Sequence, residues 1–239
     1  KGEATISLSA PVGTAAQISA EIGGLMPSST LNIGRFAYVA NEGSNDISVF
    51  EIEADGKLTL VETHPADGFG PSCVSVDPSG RYAYVTNNST GDVSVFSIAP
   101  SGTLTLVETV SCGSFPASVT NDPGGRFVFV VGDNPTYSVF SVASDGTLTL
   151  VESEPIGGIN PISVAVDPSG LFAYVANLFS SISVYSIAND GALTLVETEL
   201  DDSDPISITV DPSGRFAYVA NRSPDNVAVY SIAADGSLT

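Results

Sequence analysis

The stretch "DPSGRFAYVAN", residues 211–221, decides the fold because versions of it recur along the chain. Aspartate, proline and glycine in this order predict a type I β-turn, and the aromatic and β-branched residues that follow predict a strand. The glycine of the turn recurs at separations of 46, 45, 45 and 44 residues, at Gly34, Gly80, Gly125, Gly170 and Gly214. A period of this length is typical of stacked units or propeller blades.

Each repeat predicts four antiparallel strands, called a, b, c and d in chain order. In the second repeat these are "CVSVDP" (73–78), "RYAYVTN" (81–87), "DVSVFSI" (92–98) and "LTLVE" (104–108). The predicted fold class is therefore all-β, a β-propeller of five four-stranded antiparallel blades. The predicted blades cover residues 27–64, 71–110, 116–153, 161–198 and 205–239.

Residues 1–26 form a leader with one strand candidate, "ATISLSA" (4–10). The last repeat stops at "GSLT" (236–239), before its strand d is complete. We expect the leader strand to complete this blade, because an unpaired sheet edge promotes aggregation. Pairing with the edge of a second molecule is the alternative, and it would make the protein a self-assembling subunit.

The repeats also carry a family resemblance. "YVTNNSTGDVSVFSI" (84–98) resembles the YVTN-type propeller repeat, and residues 211–239, from "DPSGRFAYVAN" to "VYSIAADGSLT", resemble the repeats of the lactonase-type β-propeller family. The resemblance covers residues 27–239 and implies a fold that usually has seven blades, with His, Glu and Arg side chains around a central channel. No flanking motif carries these roles over residue by residue.

Charge restricts the choice of partners. The chain has 7 Lys and Arg against 27 Asp and Glu, a net charge of −20, which predicts no nucleic acid partner. No apolar run approaches the roughly 20 residues of a membrane helix, so no membrane insertion is expected. The acidity and the start at Lys1 indicate a mature, extracellular or cell-surface form whose leader peptide has been removed.

The turns between a and b and between c and d are uniform, whereas the b–c and d–a loops vary. A ligand site is therefore predicted on the loop face, the side formed by the b–c and d–a loops. The candidate catalytic residues are His64, the only histidine, as a general base, and Arg222, the one arginine outside the repeat pattern, as an anion contact. An exposed loop residue without a catalytic role is the alternative for His64. The predicted acids of the ligand face are Asp67, Asp92, Asp133 and Asp225.

One loop has the densest group of acids, Asp201, Asp202 and Asp204 with Glu199 beside them. Oxygen ligands in a flexible loop suit Ca²⁺, but the spacing lacks the EF-hand pattern, so a solvated acidic loop is the alternative. No other cofactor is predicted. A separate set of acids recurs on strand d, where a repeated charge is expected to prevent pairing of the edge: Glu62, Glu108, Glu152 and Glu197.

Cys73 and Cys112 precede or begin strand a in neighbouring repeats, which favours a disulfide between them and an oxidising compartment, with two buried thiols as the alternative. Asn87, Asn88 and Asn221 begin Asn-x-Ser/Thr sequons and are candidates for glycosylation in an exported protein.

Two hypotheses about function follow. The leading one is a non-catalytic extracellular or cell-surface propeller, a binding or structural module that recognises an extracellular ligand or assembles with itself by strand donation. The alternative is a lactonase-like hydrolase that acts on a sugar lactone at the loop face with His64 and Arg222.

Overall fold

The computed structural model describes residues 16–19, 28–32, 36–113, 115–133, 136–179, 181–200 and 203–239. Every regular element in these ranges is a β-strand, which confirms the all-β class. The chain divides into two compact units, unit one of residues 1–111 and unit two of residues 112–239. The predicted closing strand, residues 4–10, lies outside the described residues.

Unit one contains two blades. The three long strands of blade one are β3 (Phe36–Asn41), β4 (Asp46–Ile52) and β5 (Leu58–Pro65), and the short pair β1 (Ala16–Ser19) and β2 (Ser28–Asn32) lies beside β3. Blade two consists of β6 (Pro71–Val76), β7 (Tyr82–Asn87), β8 (Asp92–Ile98) and β9 (Leu104–Ser111). A single parallel pair, Ser28 with Cys73, joins β2 to β6, so the two blades form one continuous sheet.

Unit two contains three blades. Blade three consists of β10 (Pro116–Asn121), β11 (Phe127–Gly132), β12 (Thr136–Val142) and β13 (Leu148–Pro155), and blade four of β14 (Pro161–Val166), β15 (Phe172–Asn177), β16 (Ser181–Ile187) and β17 (Leu193–Leu200). Blade five has three described strands, β18 (Pro205–Val210), β19 (Phe216–Arg222) and β20 (Asp225–Ser231). The five antiparallel blades predicted from the repeat are confirmed, with four full strands in blades two to four.

The recurrent turn is held by its aspartate. In blade two the backbone N–H of Gly80 donates to the Asp77 carbonyl at 2.8 Å, which closes the predicted β-turn. The Asp77 carboxylate accepts from the N–H groups of Ser79, Arg81 and Tyr82 at 3.1, 2.6 and 2.7 Å. The conspicuous aspartate of "DPSG" is thus a structural clamp that starts strand b.

Strands b and c form the core of each blade. In β7 and β8, Ala83 to Thr86 and Val93 to Phe96 are 0 % exposed, because both faces of these middle strands are covered. In outer strand β9, by contrast, Leu104 alone is buried and the residues after it are half-buried or exposed. This explains why strand b is an almost continuous apolar run, whereas strand d mixes Thr and Glu with its Leu and Val.

Neighbouring blades are joined by three contacts, called here the blade contact set. Between blades one and two, the Phe36 ring lies against Gly102 so closely that no side chain would fit there. The Tyr38 hydroxyl donates to the Gly102 carbonyl at 3.0 Å, and the Leu104 N–H donates to the Glu62 carboxylate at 2.7 Å. Burial, and then the Glu62 carboxylate, raise the pKa of Tyr38, so its hydroxyl stays a donor.

The same contact set occurs in unit two. Phe172 lies against Gly236, the Tyr174 hydroxyl donates to the Gly236 carbonyl at 3.1 Å, and the Leu238 N–H donates to Glu197 at 2.6 Å. The N–H of Leu193 likewise donates to Glu152 at 2.7 Å. The interpretation of these strand d glutamates as edge protection is therefore incomplete, because Glu62, Glu152 and Glu197 each accept a hydrogen bond from the next blade.

Candidate functional site

The loop face is built on a repeated backbone contact. In each of blades two to five, one backbone hydrogen bond joins the end of strand b to the start of strand a. The donor is the N–H that follows the last Asn or Gly of strand b, and the acceptor is the carbonyl just before the proline that begins strand a. The four bonds are 2.8 to 3.0 Å long and join Asn88 to Gly70, Asp133 to Phe115, Leu178 to Asn160 and Arg222 to Asp204. Each of these four blades thus places a different side chain at the donor position. These are the amide of Asn88, the carboxylate of Asp133, the alkyl group of Leu178 and the guanidinium of Arg222.

Strand b asparagines brace the b–c loops. The Asn87 amide nitrogen donates to the Asp92 carboxylate at 2.7 Å and to the Ser94 hydroxyl at 2.8 Å, and Asn177 and Asn221 make equivalent bonds to strand c. Asp92, a predicted ligand-face acid, therefore has a structural partner. The amide nitrogens of Asn87 and Asn221 are engaged in these hydrogen bonds, and the two residues are only 0 % and 6 % exposed. Asn88 is half-buried. Glycosylation at the three sequons stays a prediction.

Arg222 and Asp204 form a charged pair on the loop face of unit two. Their side chains approach to 3.4 Å, with 59 % of the Arg222 side chain and 32 % of the Asp204 side chain exposed. Two backbone bonds fix the pair, from Arg222 N–H to the Asp204 carbonyl at 2.8 Å and from Asp204 N–H to the Ser223 carbonyl at 3.0 Å. An exposed ion pair stabilises a fold by only about 0–1 kcal/mol, but here it orients the guanidinium.

Arg222 has no basic neighbour in the described loops. Lys57 lies in a c–d turn, and Arg81, Arg126 and Arg215 follow the glycines of a–b turns, where each guanidinium lies 5.1 to 5.4 Å from the ring centre of the next residue. Among the described Lys and Arg residues, Arg222 is thus the one cation placed at a b–c loop.

The remaining predicted acids are exposed. Asp225 is the cross-strand partner of Arg222 in the β19–β20 hairpin. Asp133 lies at the clamped position of blade three, and Asp67 adopts a left-handed backbone with a φ of 55° in the loop that enters β6. Unit two therefore brings Arg222, Asp204 and Asp225 to one hairpin.

The acidic loop is only partly within the described chain. Asp201 and Asp202 lie outside the described residues, and Asp204 forms an ion pair with Arg222. No group of three or more metal-ligating side chains occurs among the residues that the structure describes. Ca²⁺ binding stays a prediction.

His64 lies in outer strand β5 and not in the loop that follows it. Its ring is 5.3 Å from that of Phe96 in an edge contact, and its Nδ1 is 2.8 Å from the Pro65 carbonyl oxygen. Phe96 is a core residue of blade two, so the structure gives His64 a packing contact between blades. Among the described residues, no carboxylate is in contact with the His64 ring, so a role as general base stays a prediction.

Sequence reasoning missed the apolar side chains of the loop face. In unit two these include Phe115, Ile159 and Phe179, which are 51 %, 67 % and 57 % exposed. Ile159 and Phe179 adjoin the two residues of one backbone clamp, Asn160 and Leu178. The sequence signal that could have identified them is a large apolar residue in a loop otherwise made of Gly, Asn and Ser.

The predicted disulfide is not formed. Cys73, in β6, and Cys112, after β9, are both buried thiols, 1 % and 8 % exposed, and no disulfide occurs among the described residues. The small, apolar thiols are instead packed in the interior of their respective units. The described part of the chain also contains no helix with the length and apolarity needed to span a bilayer.

The fold defines a class, that of β-propellers, and in this chain the b–c and d–a loops differ from blade to blade. Two solved structures described as 6-phosphogluconolactonases share the fold. The one from Bacteroides fragilis has a TM-score of 0.79 and 18 % identity, and the match covers 97 % of this chain and 81 % of that one. The one from Bacteroides uniformis has a TM-score of 0.79 and 19 % identity, and the match covers 96 % of this chain and 77 % of that one. The periplasmic gluconolactonase of Pseudomonas aeruginosa is also similar, with a TM-score of 0.73, 22 % identity and coverage of 86 % of this chain and 65 % of that one. These identities establish the fold alone. None of the curated sequences compared with the chain matches it.

The sequence profile of the Lactonase family, described as a seven-bladed β-propeller, matches residues 28–104 and 99–207. The matches together span residues 28–207, well over half of the 239 residues. The chain belongs to the lactonase family of β-propellers, as the resemblance of its repeats indicated. This overturns the leading prediction of a non-catalytic binding or structural module and favours the hydrolase that was its alternative.

Proposed function

We propose that the protein is a lactonase-type hydrolase that opens a lactone at the loop face of unit two. The observation that carries the proposal is the Arg222–Asp204 pair, in a chain whose family is named for this activity. The likeness to proteins described as gluconolactonase and 6-phosphogluconolactonase supports the choice of sugar lactones as the first substrates to test.

Hydrolysis of a lactone requires that water attack the carbonyl carbon, that the negative charge formed on the carbonyl oxygen be stabilised, and that the ring C–O bond break with proton transfer to the ring oxygen. The product is a hydroxy acid. Arg222 would stabilise the oxyanion and then bind the carboxylate product. Asp204 would hold the guanidinium in place.

A general base is the second requirement. Asp225 is opposite Arg222 across the hairpin, so a carbonyl bound by Arg222 would lie beside its carboxylate. Asp225 would remove the proton from the attacking water. His64 is left out of this scheme because its ring contacts Phe96.

The charge of the protein favours a neutral substrate. Arg222 is the one described cation at the b–c loops, and the whole chain carries a net charge of −20. A phosphate on the sugar would be repelled by this field, while Phe115, Ile159 and Phe179 add exposed apolar surface to the loop face of the same unit. We therefore propose an uncharged lactone such as gluconolactone as a better substrate than its phosphorylated form.

The test is a pH-indicator assay of gluconolactone hydrolysis, with the spontaneous rate subtracted. We expect Arg222→Ala to lower kcat/KM by roughly 10²-fold or more, the loss typical of an oxyanion contact. Arg215→Ala, which removes an exposed arginine from an a–b turn, is the matched control and should keep the parent rate. Absence of hydrolysis above background with both gluconolactone and 6-phosphogluconolactone would exclude the proposal.

An extracellular location, the lack of a cofactor and the lack of a nucleic acid partner also remain proposals.

A further inference from the structure

Blade four exposes three large apolar side chains on the loop face, called here the apolar stripe. Ile159 lies before strand a, Phe179 in the b–c loop and Leu200 at the end of strand d, and they are 67 %, 57 % and 77 % exposed. Hydrogen bonds of 3.3 and 3.2 Å, each from a backbone N–H to a serine hydroxyl, join strand a of blade four to strands a of blades three and five. The exposure of the stripe is therefore measured with both neighbouring blades of the same unit in place.

The stripe is a property of blade four and not of the repeat. Ile159 precedes the acceptor of the backbone clamp, Phe179 follows its donor, and Leu200 is the last residue of strand d. In blade five, the residues before the acceptor and after the donor are Ser203 and Ser223. Blade four is thus apolar where the next blade is polar. The three equivalents in blade two are Phe69, Ser89 and Ser111.

The loop that carries Ile159 is held firmly against its own blade. The Gly157 N–H donates to the Tyr185 hydroxyl at 2.7 Å. Gly158 lies so close to the Asn177 amide that a Cβ there would be 2.2 Å from the Asn177 Cγ. Ile159 is therefore turned towards solvent by a fixed loop, where it adds nothing to the core, as expected of a ligand contact.

The stripe and the Arg222–Asp204 pair lie on adjacent blades. Because the strands a contact one another, strand a is the inner strand of each blade and strand d the outer one. The backbone clamps of blades four and five have the same place in the framework, and the clamp of blade five holds Arg222 and Asp204. The inner end of the stripe is therefore one blade away from the guanidinium that would bind the lactone carbonyl.

We propose that the lactone substrate carries an alkyl chain, which lies along the apolar stripe while Arg222 binds the lactone carbonyl. This substrate class rests on the proposed hydrolase function. Strands of a sheet are about 4.8 Å apart, so the stripe extends about 14 Å from strand a to strand d, enough for an extended chain. The chain would lose contact with water there, which favours substrates with longer chains. A neutral chain is also not repelled by the net charge of −20.

The test compares the hydrolysis of two neutral lactones with the same ring, δ-decalactone, which carries a pentyl chain, and δ-valerolactone, which carries none. We expect kcat/KM to be at least about tenfold higher for δ-decalactone, the effect of burying about two methylene groups. The difference should appear mainly in KM, because the chain lies away from the reacting carbonyl. Equal values for the two lactones overturn the proposal.

Two substitutions introduce the side chain that blade five has at the equivalent position, Phe179→Ser and Ile159→Ser. Each should lower the preference for δ-decalactone severalfold, and the double variant should bring the ratio of the two kcat/KM values close to one. Leu171→Ser is the matched control, because Leu171 is 55 % exposed on the a–b turn of the same blade, and it should keep the parent ratio. Thermal unfolding shows that each variant is folded. A double variant with the parent ratio overturns the role of the stripe.

The outcomes for the parent protein distinguish the substrate class from the hydrolase function. If the parent hydrolyses neither of these lactones nor gluconolactone, the proposed hydrolase is wrong and the alkyl-chain substrate fails with it. If it hydrolyses gluconolactone but δ-decalactone no faster than δ-valerolactone, the hydrolase stands and the alkyl chain is wrong. The second result is also the one expected if the stripe binds another macromolecule instead of substrate.

Discussion

At the scale of single residues, the aspartate of the recurrent turn shows how a conspicuous residue can be structural. The Asp211 carboxylate accepts from the N–H groups of Ser213, Arg215 and Phe216 at 3.1, 2.8 and 2.9 Å. Burial raises the pKa of Asp211, but these bonds and that from the Ser213 hydroxyl lower it by more, to about 2. The carboxylate form is therefore the one that the folded turn binds.

This leads to a prediction for stability. Asp211→Ala should lower the free energy of unfolding by about 1–2 kcal/mol, as loss of a capping side chain does, measured by urea denaturation at neutral pH. Since the pKa is lower in the folded chain than the ordinary value of about 3.9, the stabilisation is complete above that pH and is lost as the pH falls towards 2. The difference between parent and Asp211→Asn should shrink over this window, and a constant difference would contradict the assignment.

His64 gives a second prediction at this scale. Because its ring packs against Phe96, His64→Ala should leave lactone hydrolysis unchanged and lower stability by roughly 1 kcal/mol, the size of an aromatic edge contact. Initial rates and thermal unfolding measure the two effects. A large fall in kcat without loss of stability would instead restore His64 as the base predicted from the sequence.

At the scale of elements, local signals predicted the strands and turns, because alternation and turn chemistry act over a few residues. Contacts between residues far apart in the sequence were not predictable in this way. Arg222 and Asp204 are 18 residues apart and meet only because β18 pairs with β19, and Glu197 and Leu238 are 41 residues apart. The repeat predicted the same glutamate in blades one to four, but its partner became visible only with the three-dimensional structure.

The glutamate contact yields a prediction for the junction between blades. Glu197→Ala removes the acceptor for the Leu238 N–H, a bond of 2.6 Å to a residue only 4 % exposed, and should cost about 1–3 kcal/mol of stability. Glu199→Ala on the same strand is the control and should cost less than half as much. Chemical denaturation monitored by tyrosine fluorescence measures both, and equal losses would contradict a specific role for Glu197.

At the scale of the whole molecule, the net charge of −20 acts on every approaching anion, whatever the details of the site. Long-range repulsion of this kind is screened over a Debye length of about 10 Å at 0.1 M salt. A phosphorylated lactone should therefore gain kcat/KM as salt increases, because its encounter with the loop face becomes less unfavourable. A neutral lactone has no such dependence.

The two substrates are expected to respond differently to salt on the same protein. With 6-phosphogluconolactone, kcat/KM should rise severalfold between low salt and about 0.5 M sodium chloride, and with gluconolactone it should change little. Arg222→Ala should keep the salt dependence, because the field comes from the acids of the whole chain, while lowering the rate on both substrates. If the phosphorylated substrate instead loses rate as salt rises, a cationic phosphate site is present and the choice of an uncharged lactone is wrong.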